Sequence, residues 1–305
     1  SHHLFLVFHH PILSHISSMS SSPSRWYNNS DYSHDLGRTL SSEIGVLWNH
    51  YFQVLFGPYS YITWVISNQV RRKTIDLHFE PQRHYHTLVH IYELLDVLRL
   101  TKTEIGPTNP NAAATAKQKA ELFFAAVFHD CVYDPKLTGG KNETLSNDHF
   151  AAFADLVGSN SVVPPSASSS VATVKEIILC TIKHTTESSN PTVKRFLNAD
   201  INVLSKPLPC YESYAHMIRL EYIHVSRPDY LKGRVAVLES FLSRAELFFK
   251  IEGEDVSAKE KQARDNIKWE ISLLKTKQVI PGEGKKIEKS VERAESERKL
   301  KILAI

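Results

Sequence analysis

Cysteine is scarce in this 305-residue chain: there are three, Cys131, Cys180 and Cys210. An odd and widely spaced set offers no disulfide framework, so a reducing, cytoplasmic setting is the expectation. Methionine is rarer, with two residues. The 11 glycines and 14 prolines are too few and too dispersed for a fibrous or low-complexity protein. Charge of one sign is also lacking: 36 basic residues against 33 acidic ones leave a formal +3. That excess is too weak to argue for specific nucleic-acid binding. No apolar run is long enough to cross a bilayer, so no membrane role is expected. Alternating strand patterns and internal repeats are missing as well.

What is present is apolar content, 42% of the chain, ample for one large core, and it recurs at helical spacing. The residues Leu40, Ile44, Leu47, Trp48, Tyr51 and Leu55 form one such stripe, stopped by Gly57-Pro58. Further helices are predicted over 61–72, from Leu88 to Leu98, up to His129, from Asn142 with core positions Phe150, Phe153, Ala154 and Leu156, and from Val174 to near His184. The pattern continues over 193–204, 211–225, 231–249 and 258–276. Loops are expected at 101–115, which holds Gly106-Pro107 and Asn109-Pro110, and at the Ser/Pro-rich stretch 158–170. The fold class is all-α. Residues 1–35 read as a disordered leader rich in Ser and Asn, 36–278 as one domain, and 279–305 as a mixed-charge tail. Within the leader, residues 1–18 have histidines and a short apolar run where a secretory signal would need a basic stretch. They read as an artificial or mistranslated extension before Met19, and their histidines are set aside.

The dipeptide His129-Asp130 closes the run from Ala120 to Phe128. A helix that is apolar nearly all round is a buried helix, and an imidazole and a carboxylate left unpaired there would be costly. A metal ion removes that cost, since neutral imidazole and ionised carboxylate are both good ligands. Two further groups join the pair. Asp200 is flanked by Phe196 and Val203 on one helical face; by itself it reads as a helix cap or as the partner of an arginine. Upstream, His86 and His90 are four apart, so both could reach one ion, and spacing does not choose between them. Read together, the residues suggest a metal centre in a helical hydrolase.

The segments Arg83-His84-Tyr85-His86-Thr87-Leu88, Phe128-His129-Asp130 with Tyr133-Asp134-Pro135 and Asn142-Glu143, and Leu197-Asn198-Ala199-Asp200 resemble the HD superfamily of metal-dependent phosphohydrolases. The likeness is nearest to an uncharacterised branch of predicted HD phosphohydrolases. It extends to Arg219, Glu221-Tyr222, Tyr230 and Gly233-Arg234, and covers most of residues 40–250. The resemblance implies an HD-domain helical bundle whose ligands are His86, His129, Asp130 and Asp200. It also implies a divalent metal ion (Mn, Co, Fe, Ni, Zn or Mg), which the N/O donor set accepts without choosing among them. His184 is the one well-placed candidate for a further ligand between the pair and the last Asp, so one ion rather than two is expected. The sequence departs from that branch at Asn198, where an acidic residue is common.

The implied reaction is hydrolysis of a small phosphomonoester, with nucleoside 5′-monophosphates as the natural class, by metal-activated water attacking phosphorus. Glu143 is the expected general base or water-orienting group, with Asp134 assisting; otherwise Glu143 only favours the start of its helix. Arg83, Lys141 and His184 are the expected phosphate contacts, although His184 serves equally as a helix-end residue. A di-iron oxygenase of HD type and a non-catalytic metal-binding module are the competing readings; the shortage of intervening histidines counts against the first. The exposed helix faces leave room for a homodimer, and no coiled-coil seam is evident.

Overall fold

The computed structural model describes residues 34–101 and 115–282. The leader up to residue 33, the central part of the 101–115 loop and the tail from residue 283 lie outside the described residues. Among the described residues there are ten α-helices and no sheet, as the all-α expectation required. None of these helices is long and apolar enough to cross a membrane.

Helix α1 (His34–Phe56) buries its predicted stripe and ends at Gly57, whose φ of +87° suits glycine. Helix α2 (Tyr61–Leu77) opens with a capping box between Ser60 and Thr63 and runs five residues beyond its predicted end at Arg72. Helix α3 (Leu88–Val97) is capped by the Thr87 hydroxyl. Helix α4 (Ala116–Phe128) starts from a capping box of Thr115 and Gln118, and every residue from Ala120 to Phe128 is buried. Helix α5 (Lys141–Asn160) follows, then α6 (Ala167–Cys180) and α7 (Pro191–Asp200). The chain then passes through a 3-10 turn (Ile201–Ser205) into α8 (Leu208–Glu221), α9 (Arg227–Leu242) and α10 (Ser257–Ser272).

The apolar character of α4 has a direct cause. It is wrapped by α1, α2, α3, α5, α6 and α7, so no face is left for water. Trp48 of α1 fits into this wrapping, with ring centroids 5.2 Å from Phe124, 5.7 Å from Phe128 and 5.4 Å from Phe153. Its indole N–H donates to Ser67 Oγ at 2.8 Å, so the burial leaves no polar atom unmatched. The one carboxylate inside the run, Glu121, accepts from Ser170 Oγ at 2.8 Å.

Buried apolar residues fall into two clusters. One spans Leu40 to Ala199 and is centred on α4; the other runs from Ile201 to Ile280 and is built by the 3-10 turn and α8–α10. The second holds a buried ion pair, Arg234 Nε to Glu270 Oε1 at 2.8 Å, with Tyr211 donating to the same carboxylate. The clusters are joined where Asn198 of α7 grips the backbone of Phe249 in both directions: Nδ2 donates to its carbonyl at 2.8 Å, and its N–H donates to Oδ1 at 2.7 Å. The ends of α4 and α7 meet the first turn of α3, and His90, His129 and Asp200 come together there.

Several expected boundaries move: the helix expected to end near His184 stops at Cys180, and that expected over 193–204 gives way to the 3-10 turn after Asp200. The loop predicted at 158–170 shrinks to 161–166, because α5 runs on to Asn160 and Ser168, Ser169 and Ser170 enter the first turn of α6. The helix predicted over 231–249 stops at Leu242, and Phe249 lies in the segment that Asn198 holds. Leu156 is half-buried, and Val157 takes its core position.

Candidate metal centre

Each side chain of the centre is delivered by an element end. His129 is the C-cap of α4, its backbone N–H still bonded to Ala125, and Asp130 follows in the turn. Asp200 is the last residue of α7. His90 sits in the first turn of α3. His86 lies before that helix, on the far side of the Thr87 cap, so the i, i+4 geometry that would put both histidines over one ion does not apply.

His90, His129 and Asp200 form the one group of three or more such side chains, among the described residues, whose potential ligand atoms all lie within 4.8 Å of one another. The triangle is nearly equilateral. His90 Nε2 is 3.4 Å from His129 Nε2, and Asp200 Oδ1 is 3.3 Å from the first and 3.5 Å from the second. Ligands bonded to one ion at roughly 2.1 Å, at tetrahedral or right angles, stand about 3.0–3.4 Å apart. Asp130 Oδ2 lies beside the triangle, 2.9 Å from His129 Nε2 and 3.9 Å from His90 Nε2. His86 Nε2 is 3.9 Å from Asp130 Oδ2 and is not part of the triangle. The structure thus places His90 where the resemblance had His86.

The chemistry of the donor set fits a cation. His129 Nδ1–H donates to the Ala126 carbonyl at 3.0 Å, which leaves Nε2 with its lone pair facing two carboxylates and a second imidazole nitrogen. Only a proton or a cation satisfies such a convergence of acceptors. The electrostatics agree. Burial pushes the His129 pKa down, but the carboxylates of Asp130 and Asp200 outweigh it and raise it well above the usual histidine value. Burial pushes Asp200 up, but His129, His184 and His90 hold it well below the usual carboxylate range. Asp130 is likewise lowered against its burial, by His129 and His86. Burial dominates at His90 and lowers its pKa, which favours the neutral, ligating form. The donor set gives the site a demand for positive charge and leaves the identity of the ion open.

Two histidines form the floor and two stand at the mouth. Side-chain exposure is 1% for His129 and 5% for His90, against 19% for His86 and 26% for His184. His184 Nε2 donates to Asp200 Oδ2 at 2.8 Å, fixing the carboxylate that shares its other oxygen with the triangle. Its backbone is left-handed, with φ +49°, a conformation costly for a non-glycine residue. Arg244 holds it there by donating to the carbonyls of His184 at 3.1 Å and Lys183 at 2.8 Å.

The other expected site residues lie elsewhere. Arg83 is buried, and its guanidinium is committed: Nε to Glu80 at 3.1 Å, Nη1 to the carbonyls of His86 and Asp130, and Nη2 to that of Cys131. It clamps the backbone on which His86 and Asp130 are carried, with its side chain shielded from solvent. Asp134 is occupied within its own loop, accepting from the Lys136 N–H at 2.9 Å, while Asn142 brackets its backbone. Glu143 lies in the first turn of α5, and Lys141 opens that helix in solvent. Neither Asp134 nor Glu143 is hydrogen-bonded to a member of the centre. Asn198, the departure from the branch pattern, is spent on Phe249 rather than on a ligand.

One residue whose role the sequence did not disclose is Glu221, at the end of α8. It is buried and fully engaged. Its Oε1 accepts from the backbone N–H groups of His84, Tyr85 and His86 at 2.8, 2.8 and 3.0 Å, and its Oε2 accepts from Tyr133 Oη at 2.8 Å and His86 Nδ1 at 2.7 Å. Burial alone would raise its pKa, yet His86 and these donors lower it. The signal was its place in the motif Arg219-Leu220-Glu221-Tyr222, but 135 residues separate it from His86, and no spacing rule spans that distance.

Comparisons with protein-family models, with curated proteins and with solved structures found no match to this chain.

Proposed function

We propose that the chain is a metal-dependent phosphohydrolase acting on a small phosphomonoester, with nucleoside 5′-monophosphates as the first class to test. The observation that carries this reading is the convergence of His90 Nε2, His129 Nε2 and Asp200 Oδ1 on one point, with Asp130 beside them. His90, His129, Asp130 and Asp200 would hold the ion. When bound, a divalent ion supplies Lewis acidity, lowering the pKa of water and offsetting charge on a phosphoryl oxygen. The protein's own residues do the rest. The burial of His129 and His90 keeps the floor of the site dry, which strengthens the electrostatics within it. His184 steadies Asp200, and Arg244 steadies His184. Arg83 keeps the His86 and Asp130 carbonyls in register. His86 and His184, the more exposed of the four histidines, mark the side from which a phosphate group would approach.

The test is turnover. The purified chain, loaded in turn with Mn²⁺, Co²⁺, Mg²⁺ or Zn²⁺, is assayed on a panel of phosphomonoesters that includes nucleoside 5′-monophosphates, beside Asp130→Ala. Release of inorganic phosphate by the wild type with at least one ion, falling to background in the variant, supports the reading. Equal rates in wild type and variant, or no release by an ion-loaded wild type, overturn it.

A further inference from the structure

Glu221 spends both its oxygens on the segment that precedes α3. Three successive backbone N–H groups converge on Oε1, which fixes the course of residues 84–86, and the remaining oxygen binds the ring of His86. The ring is fixed a second time by stacking on Tyr133, with centroids 4.3 Å apart and planes 30° from parallel, and Tyr133 is itself anchored to Glu221. The aim of the ring is thereby fixed on both its edge and its face.

The restraint has a chemical consequence. A carboxylate at Nδ1 holds a proton there, which leaves Nε2 as the ring atom turned toward the centre. That nitrogen points toward Asp130 across 3.9 Å, too far for a hydrogen bond and wide enough to ask for an intervening oxygen. The gap lies on the exposed side of the centre, where His86 is accessible while His90 and His129 are not.

We propose that His86, aimed by Glu221, is a catalytic residue that accepts a hydrogen bond at Nε2 from the attacking water and holds it in line with phosphorus, and that Glu221 is the positioning residue that fixes the tautomer. This rests on the phosphohydrolase reading for its chemistry, though not for its geometry. Glu143, the group expected from sequence to orient the water, makes no hydrogen bond to the centre, whereas His86 faces it.

Two variants and two readouts test the proposal. His86→Gln leaves Glu221 its three backbone donors, so the fold should survive, and Glu221→Gln reverses the hydrogen bond by offering an N–H to Nδ1. Bound Mn²⁺ per chain is measured for both by elemental analysis, and the His86 tautomer by ¹⁵N NMR of the protein loaded with diamagnetic Zn²⁺. The expected results are undiminished metal in both variants and a proton on Nδ1 in the wild type, moved to Nε2 in Glu221→Gln. The kcat should fall about 10²-fold in His86→Gln and roughly 10–100-fold in Glu221→Gln, with KM little changed. Loss of metal in His86→Gln would make His86 an ion ligand and overturn the proposal. A proton on Nε2 in the loaded wild type, or unchanged kcat in His86→Gln, would overturn it too. If Glu221→Gln does not fold, the His86→Gln arm and the wild-type tautomer decide. If the loaded wild type hydrolyses no phosphoester, the functional reading fails by itself, and the metal content and tautomer still report on the dyad.

Discussion

His90 Nε2 and His129 Nε2 face one another at 3.4 Å, on helices whose positions differ by 39 residues, and Asp200 Oδ1 completes a triangle with them. Two imidazole nitrogens at that distance can share at most one proton, and both are buried. The carboxylates of Asp130 and Asp200 beside them make the buried group a site that favours positive charge, supplied by a proton or a cation.

Ligand removal should separate the floor of the site from its mouth. Because an ion that binds only the folded state stabilises it by about 2.7 kcal/mol at a concentration 100 times its Kd, Mn²⁺ at that level should raise the midpoint of urea unfolding in the wild type. His90→Gln and Asp200→Asn should abolish the shift. The same midpoint shift in His90→Gln as in the wild type would remove His90 from the ligand set.

Arg83 should behave as a structural clamp and not as a phosphate contact. Arg83→Met removes the cation beside Glu80, which keeps only Gln82 as a side-chain donor, and strips donors from three carbonyls, at a cost of about 3–5 kcal/mol. Arg83→Lys should recover little, since a single ammonium cannot reach carbonyls lying in two directions. Urea denaturation measures both. Full stability in Arg83→Met with a selectively raised KM would return Arg83 to the substrate.

Asn198 must supply a donor and an acceptor to Phe249 at once. Asn198→Asp sets a carboxylate oxygen against the Phe249 carbonyl and should cost about 1–3 kcal/mol, with the bound metal per chain unchanged. Loss of metal without loss of stability would show that Asn198 supports the ligands directly.

His149 provides a pH signature away from the ligands. Burial, aided by nearby Lys73, lowers its pKa to about 4. Thr74 Oγ1 donates to the Val70 carbonyl, so His149 Nε2–H is the donor to Thr74 at 3.1 Å. The unfolded chain, with an ordinary pKa near 6.5, then binds more protons than the folded one between pH 6.5 and 4. The sign follows: the contribution is fully present above about pH 6.5 and is lost as the pH falls toward 4, and it amounts to about 1–3 kcal/mol. In His149→Gln the fall in stability between pH 7 and 4.5 should be smaller by that amount, read from urea midpoints. Parallel curves for the two proteins would contradict it.

The bundle was legible because its strongest signals are local. The stripe on α1 and the unbroken apolar run of α4 state their burial directly, and a histidine and an aspartate closing such a run had to be paired or bound. Asp200 was legible for the same reason, being a carboxylate between Phe196 and Val203. What failed was anything decided by a single cap or a distant contact. Thr87 starts α3 one residue after His86, and that cap, not the four-residue spacing, puts His90 on the floor and leaves His86 at the mouth. An arginine beside a ligand suggests phosphate until its partners are seen to be backbone carbonyls, which no side-chain pattern encodes. Glu221 was visible as part of a motif, but its task depends on a segment 135 residues away.

Anomalous scattering from a crystal of the chain grown with Mn²⁺ tests the metal centre most directly. One strong peak is expected roughly 2.0–2.3 Å from His90 Nε2, His129 Nε2 and an oxygen of Asp200, with His86 Nε2 outside bonding distance. No peak inside that triangle at saturating Mn²⁺, or a peak ligated by His86 in place of His90, would contradict it.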